Sequence, residues 1–174
     1  MATTDQATRL SRERILDAAL DVARRDGLDA LSMRRIAQEL DVWPMSLYRY
    51  FHDKDELLDA LGDAAARAIP APPSRGPWRR RLTELLGQAR AAFEDHPGGA
   101  RLRLDATAAT PAAAAVRETG LEILAGAGFE PAEAESAWGA LLAYTAGAAT
   151  LGSDFEYGLE RLLDGLEARL PDRR

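Results

Sequence analysis

Apolar residues recur at intervals of three and four along most of the chain, the spacing of amphipathic helices rather than strands. Between Arg12 and Arg25 the stripe is Ile15, Ala19, Val22 and Ala23, with Ser11 placed to cap its start and Asp26-Gly27 to end it. Leu28 and Leu31 pack the connection. A second stripe, Met33, Ile36, Ala37 and Leu40, follows another capping residue, Ser32. Asp41-Val42 reads as a turn. Pro44 suits the first position of a third helix, where a missing N–H costs nothing. That helix is predicted to reach Phe51, with Leu47 and Phe51 facing inward. Asp53 and Glu56 make a capping-box pattern for a fourth helix, anchored by Leu57, Leu58 and Leu61 and predicted to end near Ala68.

From Ile69 to Pro77, four prolines and a glycine in nine residues stop the pattern. Beyond them the periodicity predicts a helix from Trp78 to Asp95 with Leu82, Leu85, Leu86, Ala89 and Phe93 inside. A break at His96-Pro-Gly-Gly99 precedes a short helix from Ala100 to about Thr107. Three more helices are predicted: Pro111 to about Gly126, Pro131 to Leu151, and Asp154 to Leu170. No run alternates with period two and no internal repeat is visible, so no sheet is predicted. The fold class is all-α: a three-helix N-terminal head with a helix-turn-helix, joined by a fourth helix to a C-terminal helical bundle. Residues 1–56 are assigned to the head and 57–174 to the body.

Composition narrows the function. With 47% hydrophobic residues in 174, the chain can bury a core. No apolar run approaches the roughly 20 residues of a membrane span, the N-terminus has no signal pattern, and there is no cysteine. A soluble cytoplasmic protein is expected. The only histidines, His52 and His96, are far apart, and no phosphate loop, nucleophile elbow or metal motif is present, so neither an enzyme nor a cofactor is expected. The net charge is −6, and residues 1–60 carry nine basic against twelve acidic side chains, a net of −3. Any basic surface is therefore local. From Met33 to Phe51 the balance reverses, with Arg34, Arg35 and Arg49 against Glu39 and Asp41, and Lys54, the chain's one lysine, follows.

That reversal falls on the second and third helices. If Leu47 and Phe51 point to the core, Met45, Ser46, Arg49 and Tyr50 face out. Pro44 and Met45 lie at the N-terminal end, where a recognition helix meets base edges in the major groove. Ser46 can hydrogen-bond a base or phosphate. Arg49 can fork onto guanine or clamp a phosphate, and Met45 can touch a thymine methyl. His52 reads as a loop residue.

The block Ile15-Leu-Asp-Ala-Ala19, Gly27-Leu-Asp-Ala-Leu31, Met33-Arg-Arg-Ile-Ala37, Leu47-Tyr-Arg-Tyr-Phe51 and Lys54-Asp-Glu-Leu-Leu58 resembles the TetR family of transcriptional regulators. The resemblance covers about Arg12 to Leu61. It implies that Tyr48 and Lys54 contact the phosphate backbone and that Arg34 and Arg35 lie near the groove. Two positions depart from the pattern. Asp41 stands where the family usually has glycine, and Trp43 where a small capping residue is common. Trp43 cannot cap; it is expected to pack on a neighbouring helix or to lie against DNA.

One small head binds DNA weakly, so a homodimer on a palindromic operator is expected. Gly139, Ala143 and Gly147 form a ridge of small residues, and Phe155, Leu159, Leu162, Leu163, Leu166 and Leu170 a near-heptad stripe. Gly139, Ala143, Gly147, Phe155, Leu159, Leu162 and Leu166 are the expected dimer contacts, in an interface of two helices from each chain. The resemblance further implies a pocket for a small-molecule effector, for which Phe93, Leu104, Leu121, Leu124, Trp138, Leu142 and Thr145 are the candidate lining; the same residues also read as plain core. Where relatives often insert a further helix before the last, this chain has only Gly152-Ser-Asp154. The expected function is a ligand-responsive repressor. The alternative is a helical sensor or adaptor that no longer binds DNA.

Overall fold

A computed structural model of the chain describes residues 10–96, 110–152 and 154–170. Among these residues it is helical, with no strand: α1 Arg12–Asp26, α2 Met33–Glu39, α3 Pro44–Leu47, α4 Lys54–Arg67, α5 Trp78–Asp95, α6 Pro111–Ala127, α7 Pro131–Leu151 and α8 Phe155–Glu167. None of the described helices is long and apolar enough to cross a membrane. The chain divides into two compact units, residues 1–61 and 62–174, and the division falls inside α4.

In the first unit, the head, local chemistry sets each helix end. Ser11 Oγ accepts from the Arg14 amide at 3.2 Å and Ser32 Oγ from the Arg35 amide at 3.1 Å, so both expected caps are made. Gly27 ends α1 with φ 83° and ψ 164°, a conformation essentially confined to glycine. A single 3-10 turn, Leu28–Ala30, leads to α2. There the Asp41 amide donates to the Gln38 carbonyl (3.3 Å) and the Val42 amide to the Ala37 carbonyl (2.9 Å). This paired pattern is the Schellman motif, and it places Asp41 at φ 52°. The turn of the helix-turn-helix is thus built, with aspartate in the seat that favours glycine.

The third helix is shorter than predicted. Its regular part ends at Leu47, and Tyr48 to Tyr50 continue as turns. The Tyr50 and Phe51 amides both donate to the Leu47 carbonyl, at 2.9 and 3.0 Å. Trp43 offers no side-chain cap, and the Ser46 amide instead reaches back three residues to the Trp43 carbonyl at 2.9 Å. The segment therefore winds more tightly than an α-helix at its start. Ile15, Leu31, Ile36, Leu47, Phe51, Leu57 and Leu61 close the head core, each no more than 1% exposed. Burying a side chain of this size contributes about 1.5–3 kcal/mol.

The second unit, the body, has its main core where Leu82, Leu85 and Leu86 of α5, Ile123 and Leu124 of α6, Trp138 and Leu141 of α7, and Leu159 and Leu163 of α8 meet. Thr110 caps α6 through its hydroxyl, which accepts from the Ala113 amide at 3.3 Å. The Trp138 ring lies directly on Gly120, where a Cβ would stand 2.2 Å from it. The Tyr144 hydroxyl donates to the carbonyls of Asp154 and Phe155 at 3.0 and 3.1 Å, and its ring stacks on Phe155, holding the start of α8 to α7. The short helix expected at 100–107 lies outside the described residues. The last helix is regular only to Glu167, short of Leu170.

Candidate nucleic-acid interface

Burial of Leu47 and Phe51 fixes the rotation of the segment from Pro44 to Phe51 and turns Met45, Tyr48 and Arg49 outward. Trp43 is 82% exposed, Met45 75% and Tyr48 43%, large apolar surfaces to leave in water on a small head. Arg49 is exposed, and Pro44 and Ser46 are half-buried. Arg34 of α2 is exposed, and Lys54, the first residue of α4, is half-buried. Arg34, Arg49 and Lys54 make no ion pair with any described residue. Their charges are free for an anionic partner.

Two sequence expectations need correction. Tyr50 does not face out. Its ring packs against the head core, and its hydroxyl donates to the Leu10 carbonyl at 2.7 Å. Tyr50 follows the buried Leu47 by three residues, a spacing that places both on one face. Arg35 is not a free cation either: it pairs with Asp26 and Glu39 at 3.1 and 3.0 Å, and Arg25 pairs with the same two carboxylates. The network ties the end of α1 to α2. Hydrogen bonds from Arg25, reinforced by Arg35, hold both carboxyls below their usual range. Trp43, exposed as it is, does not bury itself on a neighbouring helix among the described residues, and of its two expected places the one against DNA is left.

One organising residue was not anticipated. The Arg12 guanidinium lies 4.0 Å over the Phe51 ring, donates to the Tyr50 carbonyl at 2.6 Å and pairs with Glu56 at 3.0 Å. Glu56 also accepts from the His52 amide at 2.7 Å, while its own amide donates to Asp53 Oδ1 at 2.8 Å. The capping box is therefore made one residue early on its return leg. The His52 amide foremost, and Arg12 after it, hold the Glu56 carboxyl below its ordinary value. Arg12 immediately precedes the first apolar stripe, and nothing in its local sequence signals a partner 38 residues away.

Asp41 gives the first expected outcome. Its left-handed φ strains an L residue, and its charge sits at the C-terminal end of α2, where the helix dipole already concentrates negative potential. Asp41→Gly relieves both and loses part of the gain to unfolded-chain entropy. The variant is expected to gain up to about 1 kcal/mol in urea unfolding. It is also expected to bind duplex DNA more tightly, having lost an acid beside the recognition segment. A loss of stability would show that the Asp41 side chain makes a contact worth more than the strain.

In the body the candidate lining residues are distributed. Phe93 and Leu142 share a small cluster with Ala89 and Ala146, and Thr145, fully buried, donates to the Leu141 carbonyl at 2.8 Å. Leu124 and Trp138 belong to the main core, and the Trp138 ring is filled by Gly120 rather than facing open space. Leu121 lines a shallow groove of about 370 Å³ with Pro131, Ala134 and three glutamates. Leu104 lies outside the described residues. Of the expected dimer contacts, Phe155 and Leu159 are corrected: at 3% and 2% exposure they fill the core of their own chain. Helical spacing puts them with Leu163 on the inward row. Gly139 and Ala143 are exposed and Gly147 half-buried. Leu162 and Leu166 border an open apolar groove of about 250 Å³ with Ala137, Ala140 and Gly165.

Known proteins share this arrangement. Residues 15–61 match the family model described as bacterial regulatory proteins, tetR family, and residues 69–153 match the tetracyclin repressor-like C-terminal domain. The tetracycline repressor protein class G of Vibrio anguillarum is 30% identical, with 95% of this chain and 76% of the relative covered. The solved structure of Streptomyces coelicolor ActR in complex with (S)-DNPA has a TM-score of 0.80 at 27% identity, covering 92% of this chain and 98% of ActR. BioQ with its double-stranded DNA operator has a TM-score of 0.78 at 28% identity, covering 92% of this chain and 100% of BioQ.

Proposed function

The chain belongs to the TetR family of bacterial regulatory proteins, and on that premise we propose that it is a ligand-responsive transcriptional repressor. It acts as a homodimer that places two recognition segments in successive major grooves of a palindromic operator, about 34 Å apart. Residues 1–56 bind DNA and residues 57–174 bind the effector and the second copy. Pro44, Met45, Ser46 and Arg49 meet base edges, while Arg34, Tyr48 and Lys54 hold phosphates. The exposed part of the ridge, Gly139 and Ala143, with Leu162 and Leu166, forms the dimer contact. Such a protein works in the cytoplasm, and its family is one of regulators, not enzymes.

The observation that carries this reading is the helix-turn-helix whose inner side chains are fully buried while Met45 and Arg49 stand clear of every described partner. BioQ was solved on an operator and ActR with a small molecule, which supports both halves of the proposal. The reading as an adaptor without DNA binding is not favoured. Regulation follows from differential affinity: an effector that prefers dimers with misaligned heads shifts the population away from the DNA-competent form.

Selection of bound duplexes from a random pool tests the proposal, and a recovered palindrome is the expected result. On that duplex, Arg49→Ala is expected to weaken binding about 5- to 150-fold at fixed salt, the range for one good base contact. Melting temperature should not move, because Arg49 has no partner to lose. Unchanged affinity would remove Arg49 from the interface.

A further inference from the structure

Asp63 of α4 is the one buried acidic residue among the described residues, at 8% exposure. Its Oδ2 is ion-paired with Arg67 one turn on, whose own side chain is 73% exposed. Its Oδ1 is enclosed and has no hydrogen-bond partner. The other buried polar side chain, Thr145, is satisfied by the Leu141 carbonyl. A carboxylate oxygen taken from water without a donor carries an uncompensated desolvation cost. An apolar side chain of similar size would avoid that cost. Stability alone therefore does not account for an aspartate here, and local conflict of this kind is characteristic of functional positions.

The neighbours of Asp63 on the helix are small: Gly62, Ala65 and Ala66, also buried, fill little space, and Arg67, the long side chain one turn on, is taken up by the other carboxylate oxygen. Position matters as well. Leu57 and Leu61, earlier on α4, belong to the head core, and Ile69, just beyond its end, packs on the cluster of Ala89, Phe93 and Ala146. A group that engages Asp63 acts on the helix that carries the chain from one core to the other.

We propose that Asp63 Oδ1 is a binding position for the ammonium group of a small amphiphilic amine. A carboxylate is acceptor-only, and a cationic N–H donor is its strongest complement, most of all where water is excluded. A carboxylic acid would be repelled, and a neutral alcohol would gain only an ordinary hydrogen bond. That binding here releases the operator rests on the repressor reading; the binding itself does not.

The test uses the full chain and three probes on one skeleton: 2-(2-naphthyl)ethylamine, the corresponding alcohol, and 2-naphthylacetic acid. Calorimetry is expected to show the amine bound about tenfold or more tightly than the alcohol, the size of one charge-assisted hydrogen bond, and the acid weakest. In Asp63→Asn the preference should fall to about threefold or less. Asp63→Leu should lose it and melt at a higher temperature without ligand; should that variant not fold, the near-isosteric Asn variant decides alone. Equal binding of the three probes, no binding of the amine, or a preference surviving both substitutions overturns the proposal. Operator titrations run in parallel, each variant against its own affinity without amine. A chain that binds no duplex defeats the repressor reading and leaves the amine result standing; a chain that binds duplex and ignores the amine defeats only this inference.

Discussion

Phe51→Ala is expected to unfold the head and abolish operator binding. Phe51 is the largest fully buried side chain among the described residues, at 0% exposure, and it closes a core shared with Ile15, Ile36, Leu47 and Leu57. Truncation of a buried Phe to Ala costs about 3–5 kcal/mol. The Arg12 guanidinium, 4.0 Å above the ring, loses its aromatic face as well. A unit of 61 residues has little surplus stability, so a loss of that size is comparable with all it has. Tyr48→Ala, three residues earlier and exposed, is the control for stability alone: it should unfold within about 0.5 kcal/mol of the parent while losing the operator affinity of its phosphate contact. Urea unfolding followed by circular dichroism, with operator titration beside it, reads both. A Phe51→Ala protein that still binds operator with near-normal affinity would mean that the recognition segment is held by something other than its buried face.

The head was legible because its signals are local. Ser11 and Ser32 cap as serines do, and the i, i+4 pair Leu47 and Phe51 set the inward face. Asp41-Val42 read as a turn, and the resemblance, which puts glycine at Asp41, marked the position whose φ is left-handed. What failed was rotation by a fraction of a turn. Tyr50 was expected outward, yet it follows Leu47 by three residues, and that spacing itself sets it beside the inward face, where its hydroxyl reaches the Leu10 carbonyl. Charge counting failed for a related reason. Arg34 and Arg35 are equivalent in composition, yet only Arg35 stands one turn before Glu39, a local i, i+4 pairing, and also meets Asp26 across on α1. The pairing with Asp26, between two helices, has no signature in the local sequence.

The body was legible as helices and not as a site. Prolines and glycines marked its helix ends to within a few residues, and the inner face of α5 is the one its spacing predicts. The leucine stripe of the last helix, however, serves two faces. Phe155, Leu159 and Leu163 go inward, while Leu162 and Leu166 remain at an open groove. Periodicity alone cannot divide a stripe between a core and a partner. Asp63 shows the converse limit. In sequence it is one acid among 28, and only its enclosure singles it out.

Glycine offers a decisive experiment for the body, because one substitution has opposite signs at different positions. Gly120→Ala is expected to destabilise the bundle by about 1–3 kcal/mol or more. Its new Cβ would stand 2.2 and 2.3 Å from two carbons of the Trp138 ring, which is 4% exposed and held among Leu124, Leu141 and Ile123. A buried ring packed in the core yields at a cost, either by leaving its place or by pushing α6 and α7 apart. Gly87→Ala on α5 meets nothing within 4 Å and should instead stabilise by about 0.5–1 kcal/mol through helix propensity alone. Trp138→Leu should partly rescue Gly120→Ala, and the double-mutant cycle measures how much of the loss belongs to that one contact. Equal effects at Gly87 and Gly120 would show that the Trp138 ring is not seated on α6. Gly139→Ala extends the logic to the second copy: its Cβ is also unopposed within the chain. A methyl there stabilises a single chain, and it opposes association if the ridge of Gly139 and Ala143 is the dimer seam. A dimer dissociation constant raised by this substitution, with unfolding stability undiminished, would place the seam on that ridge; an unchanged constant would move it elsewhere.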